Sequence, residues 1–120
     1  MPSEIFVLIL DDEPVHQRAI KRLLPENISV VFASSPEKAF ATILAAVQPF
    51  SHIVSDRDMG VAQNGVEFLC EVYEHNINAH LALMSGGDLT PEQETALKRI
   101  GAPFFKKPVD DAILIAWIHS

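Results

Sequence analysis

Five short apolar runs, each cut off by polar or turn-forming residues and followed by a stretch with helical spacing, constrain this chain more than any other feature. Ile5-Phe6-Val7-Leu8-Ile9-Leu10 is the first, with the β-branched and aromatic content of a strand covered on both faces. It stops at Asp11-Asp12-Glu13-Pro14. Pro14 suits the first turn of a helix, and Val15, Ala19 and Leu23, with Ile20 and Leu24, repeat at helical spacing up to Pro25. Residues 28–33 read as a second strand, and Ser35-Pro36 supplies a cap and first residue for a helix from Glu37 to about Val47. The third run, Ile53-Val54, begins after His52 and ends in Ser55-Asp56-Arg57-Asp58. Asn64-Gly65 then opens a helix predicted to carry Val66, Leu69, Cys70 and Tyr73 on its core face. Leu81-Ala82-Leu83-Met84 is the fourth run, closed by Ser85-Gly86-Gly87, and Thr90-Pro91-Glu92-Gln93 has the capping-box pattern of a helix reaching about Ile100. Phe104-Phe105 is a short fifth strand ended by Lys106-Lys107-Pro108, and a last helix is predicted over Val109 to His119.

Strand and helix alternating five times predict an α/β fold, a doubly wound (βα)5 parallel sheet of the flavodoxin-like order 2-1-3-4-5. The 120 residues, 48% of them hydrophobic, suffice for one core, so residues 1–120 are expected to form one domain. A net charge of −7 offers no clustered cations for nucleic acid or an anionic membrane surface. The first apolar run is too short for a signal peptide or a membrane span, which makes a cytoplasmic protein the expectation. The lone Cys70 reads as a small buried hydrophobe.

In this order the tips of strands 1, 3, 4 and 5 lie side by side, which brings together Asp11 and Asp12, Asp56, Ser85 and Lys107. Taken singly, the acid pair reads equally as a helix cap, Ser85 as turn chemistry and Lys107 as a solvated lysine. Together they are an oxygen-rich, thiol-free site suited to Mg²⁺, whose open positions commonly accept phosphoryl oxygens. A lysine and a hydroxyl supply the charge and hydrogen bonding of phosphoryl transfer, with Asp56 as nucleophile becoming an acyl phosphate.

These residues resemble the receiver domains of two-component response regulators. The matches are Asp11-Asp12, Asp56, Ser85 followed by a small residue, and Lys107-Pro108, in the family's order and across nearly the whole chain. The resemblance implies that Asp56 accepts a phosphoryl group from a phosphohistidine of a sensor kinase or phosphotransfer protein, and that the change controls a downstream protein or a linked output domain. It implies that Asp12 and Asp56 ligate Mg²⁺ directly, Asp11 mainly through water, and Asp58 through its backbone carbonyl. Ser85 and Lys107 would bind the phosphoryl oxygens, the Lys107-Pro108 bond would be cis, and Phe104 takes the position of the family's aromatic switch, which follows Ser85. The chain departs from the family after Asp56: the loop is one residue longer, with Gly60 where a proline is usual, and so is expected to be looser. The stretch from Gly101 to Phe104 is one residue shorter than usual, and of the neighbouring Lys106 and Lys107 only the second precedes the proline.

The last helix, Ala112-Ile113-Leu114-Ile115-Ala116-Trp117-Ile118, is apolar all round. The family pattern buries Leu114 and Ile118, which predicts Ile113 and Trp117 on the exposed side as an anchor for a partner helix or a homodimer. The five histidines show no ligand spacing of the i, i+4 kind, so no zinc site is expected. Two other readings compete with the switch. One is a pseudo-receiver serving only as an interaction module. The other is an aspartyl-phosphate phosphatase suggested by Asp56-x-Asp58, disfavoured because such enzymes carry that motif after the first strand and have a cap.

Overall fold

The structure is a computed structural model that describes residues 5–57 and 64–120. Asp58, Met59 and Gly60 lie outside the described residues, and with them the expected carbonyl ligand and the looser loop. The elements alternate as predicted: β1 (Phe6–Leu10), α1 (Pro14–Leu23), β2 (Ser29–Ala33), α2 (Pro36–Ala45), β3 (His52–Asp56), α3 (Gly65–Glu74), β4 (His80–Ser85), α4 (Pro91–Ile100), β5 (Phe104–Lys106) and α5 (Asp111–Ile118). All strand pairs are parallel and the sheet order is β2-β1-β3-β4-β5. Among the described residues, no helix is long and apolar enough to cross a membrane.

Period-two alternation splits the apolar strand residues between two cores. Leu8, Leu10, Ile53, Leu81 and Leu83 meet Ala39 of α2, Leu69 and Val72 of α3, and Leu97 of α4 on one face. Val7, Ile9, Val54, Ala82 and Met84 meet Ile20 of α1 and Leu114 and Ile118 of α5 on the other. Two-sided cover is why these strands read as unbroken apolar runs.

Helix faces follow the sheet more closely than the bare spacing. Val15 is exposed, because Ile20 and Leu24 take α1's buried side. In α3 the core face is Val66, Phe68, Leu69 and Val72; Cys70 is only partly buried at its margin. Tyr73, predicted inside, stands 46% exposed at the rim, where the Arg99 guanidinium of α4 lies 5.7 Å from its ring centroid. The last helix starts at Asp111 and not at Val109, since the Asp110 carboxylate caps it by accepting from the N–H groups of Ala112 (2.9 Å) and Ile113 (3.3 Å).

Leu114 and Ile118 are buried and Ile113 is 55% exposed, as the all-apolar helix suggested. Trp117 is not on the exposed side. It is partly buried and meets Phe105 edge-on at 5.7 Å and His52 at 4.9 Å between ring centroids. Trp117 sits one position before Ile118 in the helix, and a wide indole there reaches the edge of the sheet that a smaller side chain would leave bare.

His52 is buried beneath that indole, with Nδ1 2.8 Å from the Ser51 hydroxyl and the ring 5.0 Å from that of His80. Burial, and then the nearby His80, hold its pKa below the ordinary histidine range; the Trp117 backbone opposes this and His119 adds to it. A lowered folded-state pKa means that the unfolded chain takes up the proton first. Stability from this site is therefore present above the unfolded value of about 6.5 and is lost as pH falls from there through the lowered folded value. Urea titrations from pH 7.5 to 5 are expected to show this fall, and His52→Gln is expected to flatten it.

Candidate functional site

Strand geometry decides where each acid points. Asp11 continues the β1 ladder, its N–H bonded to the Ala33 carbonyl at 3.0 Å, and its side chain is completely buried at the sheet edge. One residue on, the alternation sends Asp12 to the opposite side, where it is exposed and lines a different hollow with Gln17 and Phe32. Asp11 Oδ1 accepts from the Glu13 N–H at 2.9 Å, and the Gln17 side-chain amide donates to the Asp11 carbonyl at 2.7 Å, tying the strand end to α1.

Asp56 ends β3, pairs in register with Met84 and is 2% exposed. Its surroundings are held by backbone: the Arg57 N–H donates to the Met84 carbonyl, the Gly65 N–H to the Arg57 carbonyl, both at 2.9 Å, and the Ser55 hydroxyl donates to the Asp56 carbonyl. Lys107 reaches across from the β5–α5 connection and donates to Asp56 Oδ2 at 2.8 Å, with Asp11 Oδ2 4.0 Å away. Lys106 faces outward and pairs with Asp88 at 3.5 Å, so the two neighbouring lysines have separate partners. The Lys107-Pro108 bond is cis, in line with the expectation.

The Ser85 hydroxyl is buried and engaged with its own loop, accepting from the Gly87 N–H at 3.1 Å. Phe104 is partly buried against the α2–α4 core. The structure thus brings Asp11, Asp56 and Lys107 into one cluster, leaves Ser85 turned to its loop and Asp12 turned to solvent.

Two residues near the site escaped the sequence reading. His16 on α1 lies with Nδ1 3.6 Å from Asp11 Oδ2 and 3.5 Å from Lys107 Nζ. Its signal was its place one turn before Ile20, on the buried face of the same helix. Arg57 donates from its guanidinium to the Asp88 carbonyl and so ties the end of β3 to the loop that follows Ser85. A side chain at Gly87 would meet that guanidinium at 2.9 Å.

Burial pushes the Asp11 carboxyl above its usual range; the Glu13 N–H and Lys107 pull it back, Asp56 pushes it further, and His16 again lowers it. Asp11 Oδ2 is buried with no hydrogen-bond partner. An unbonded buried carboxylate oxygen facing a second carboxylate is what a small divalent cation relieves, so the residues present fit Mg²⁺. A groove of about 420 Å³ opens here between α1 and the β5–α5 connection, with Asp11, His16 and Lys107 at one end and Ile20, Leu23 and Val109 along its walls.

Comparison with known proteins agrees on family and fold. Residues 7–119 match the response regulator receiver domain family. A 68-residue stretch is 44% identical to the hydrogenase transcriptional regulatory protein HoxA of Cupriavidus necator, covering 57% of this chain and 14% of that protein. The matched stretch therefore spans about one-seventh of that relative. The fold is shared with a response regulator receiver protein of Pseudomonas putida, at 22% identity, a TM-score of 0.82 and coverage of 99% of this chain and 98% of that one. It is shared too with the chemotaxis protein CheY4 of Vibrio cholerae, at 23% identity, a TM-score of 0.80 and 96% coverage of both chains.

Proposed function

The chain belongs to the response regulator receiver domain family of two-component signalling, and from that premise we propose that Asp56 is its phosphoacceptor. The observation that carries the proposal is the buried Asp56 carboxylate with the Lys107 ammonium at 2.8 Å, at the strand edge where a ligand can reach both. An Asp56 oxygen attacks the phosphorus of a phosphohistidine; the new O–P bond forms as the N–P bond breaks, and the departing imidazole nitrogen keeps the electron pair and takes up a proton. Lys107 stays beside Asp56 and turns its remaining N–H donors to the phosphoryl oxygens. Ser85 gives up its turn with Gly87 and donates to the same oxygens. Asp11 and Asp56, with Asp12 after its side chain rotates and with the carbonyl of Asp58, would hold Mg²⁺, which would supply positive charge to offset the carboxylates and the phosphoryl group.

The donor is a sensor kinase or phosphotransfer protein whose apolar helix face fits the groove walled by Ile20, Leu23 and Val109. The output follows from Ser85: when its loop moves, Phe104 fills the space released, and the surface of α4, β5 and α5 changes. A downstream protein or a linked output domain reads that surface. On α5 the exposed Ile113, without Trp117, is left as the contact for such a partner or for a second copy. The chain acts as a phosphoacceptor that at most assists its own phosphorylation and dephosphorylation.

Intact mass after incubation with Mg²⁺ and acetyl phosphate tests this reading. A gain of one phosphoryl group is expected for the wild type and none for Asp56→Ala. No gain in folded wild-type protein with Mg²⁺ bound overturns it and leaves the pseudo-receiver.

A further inference from the structure

We infer that His16 turns the acid pocket into a mixed oxygen–nitrogen site, in which Asp11, Asp56 and the His16 imidazole bind a 3d divalent cation such as Co²⁺ in place of the Lys107 ammonium. Among the described residues, these three offer ligand atoms that all lie within 4.8 Å of one another. The spacing is somewhat wider than around a bound ion, so the three side chains would draw together on binding. At its centre lies the Lys107 ammonium, 2.8 Å from Asp56 Oδ2, 3.5 Å from His16 Nδ1 and 4.0 Å from Asp11 Oδ2. That arrangement gives only Asp56 a short bond and leaves Asp11 Oδ2, completely buried, with none. The pocket thus already holds one positive charge at a point where three donors converge, and the buried one is unsatisfied.

The orientation of the imidazole supports ligation. Glu13 Oε2 stands 3.7 Å from Nε2, on the side away from the pocket. Asp11 Oδ2 stands as near to Nδ1, at 3.6 Å, so the carboxylates alone do not set the tautomer; the Lys107 ammonium 3.5 Å from Nδ1 can only donate, which favours the proton on Nε2 and the Nδ1 lone pair toward the pocket. A carboxylate behind a histidine is the usual outer partner of a metal-bound imidazole. Lys107 is free to yield because its ammonium ends a flexible stem in a partly exposed position. An all-oxygen pocket suits Mg²⁺, whereas an imidazole nitrogen raises affinity for later 3d ions. The inference uses the carboxylates of the proposed phosphoacceptor site but does not need Asp56 to be phosphorylated.

The test is titration of the full chain with Co²⁺ and with Mg²⁺, together with proton NMR of the Co²⁺ form. The wild type is expected to show a hyperfine-shifted, exchangeable imidazole N–H, assigned to Nε2 of His16, that is missing in His16→Gln. The ratio of Co²⁺ to Mg²⁺ affinity is expected to fall roughly tenfold or more in His16→Gln and in His16→Leu. Thermal melts of both variants check that they fold. A wild-type Co²⁺ form without that resonance, or an unchanged affinity ratio in folded variants, overturns the inference. Failure of acetyl phosphate to modify Asp56, with the resonance present, counts against the phosphoacceptor reading alone.

Discussion

Replacing Lys107 by Ala is expected to slow phosphorylation of Asp56 by acetyl phosphate by roughly 10²–10³-fold, the usual loss when a positioned donor to a developing charge is removed. Lys107 Nζ lies 2.8 Å from Asp56 Oδ2, and Lys106 cannot replace it because it points outward to Asp88. The variant also leaves two buried carboxylates facing each other, since Asp11 is 0% and Asp56 2% exposed. Its stability at neutral pH is expected to fall by about 1–2 kcal/mol, less than for a fully buried pair because the Lys107 side chain is 21% exposed. Single-turnover mass spectrometry gives the rate, and urea unfolding gives the stability. A Lys106→Ala control is expected to change neither by much.

The second large effect is expected at Gly65, the first residue of α3. A Cβ there would lie 2.1 Å from the Asp56 carbonyl oxygen, 2.8 Å from its carbon and 2.8 Å from the Ser55 hydroxyl. Two of those atoms belong to the backbone of the central strand, which is paired on both sides and cannot move aside. Gly65→Ala is therefore expected to destabilise the fold by about 3 kcal/mol, the upper end for overpacking, seen as a lower urea midpoint at unchanged slope. Gly86→Ala is the matched control, since a Cβ there meets nothing within 4 Å, and it is expected to fall within about 0.5 kcal/mol of the wild type. The clash also displaces the Asp56 carbonyl, so any folded Gly65→Ala is expected to phosphorylate slowly.

Much of this protein is legible in one dimension. Runs such as residues 5–10 and 81–84, each ended by a turn signal, are long enough for a strand and too short for a helix, and their regular alternation with helical segments leaves few ways to wind the sheet. Once the order 2-1-3-4-5 follows, residues far apart in the chain must share an edge, and Asp11, Asp12, Asp56, Ser85 and Lys107 are the polar residues which that order predicts there. Caps are local chemistry, and the Thr90–Gln93 capping box formed as its pattern implies.

Direction of individual side chains was decided by tertiary contact. Asp11 and Asp12 are the same residue type in adjacent positions, and only the pairing of Asp11 with Ala33 settles which of them turns into the site. An all-apolar α5 has no polar face to set its rotation, so the indole of Trp117 went to the gap beside His52 and Phe105 instead of to solvent. Tyr73 stands at the rim because Arg99 of a neighbouring helix offers its ring a partner there. His16 carries no motif, since its relation to Lys107 spans 91 residues and exists only after α1 and the end of β5 dock on the same face of the sheet. Sequence determined the fold and the edge of the sheet where the candidate site sits, because periodicity and chain order are properties of the chain itself. The folded structure alone decided which atoms face one another there, because that depends on packing between elements that share no local pattern.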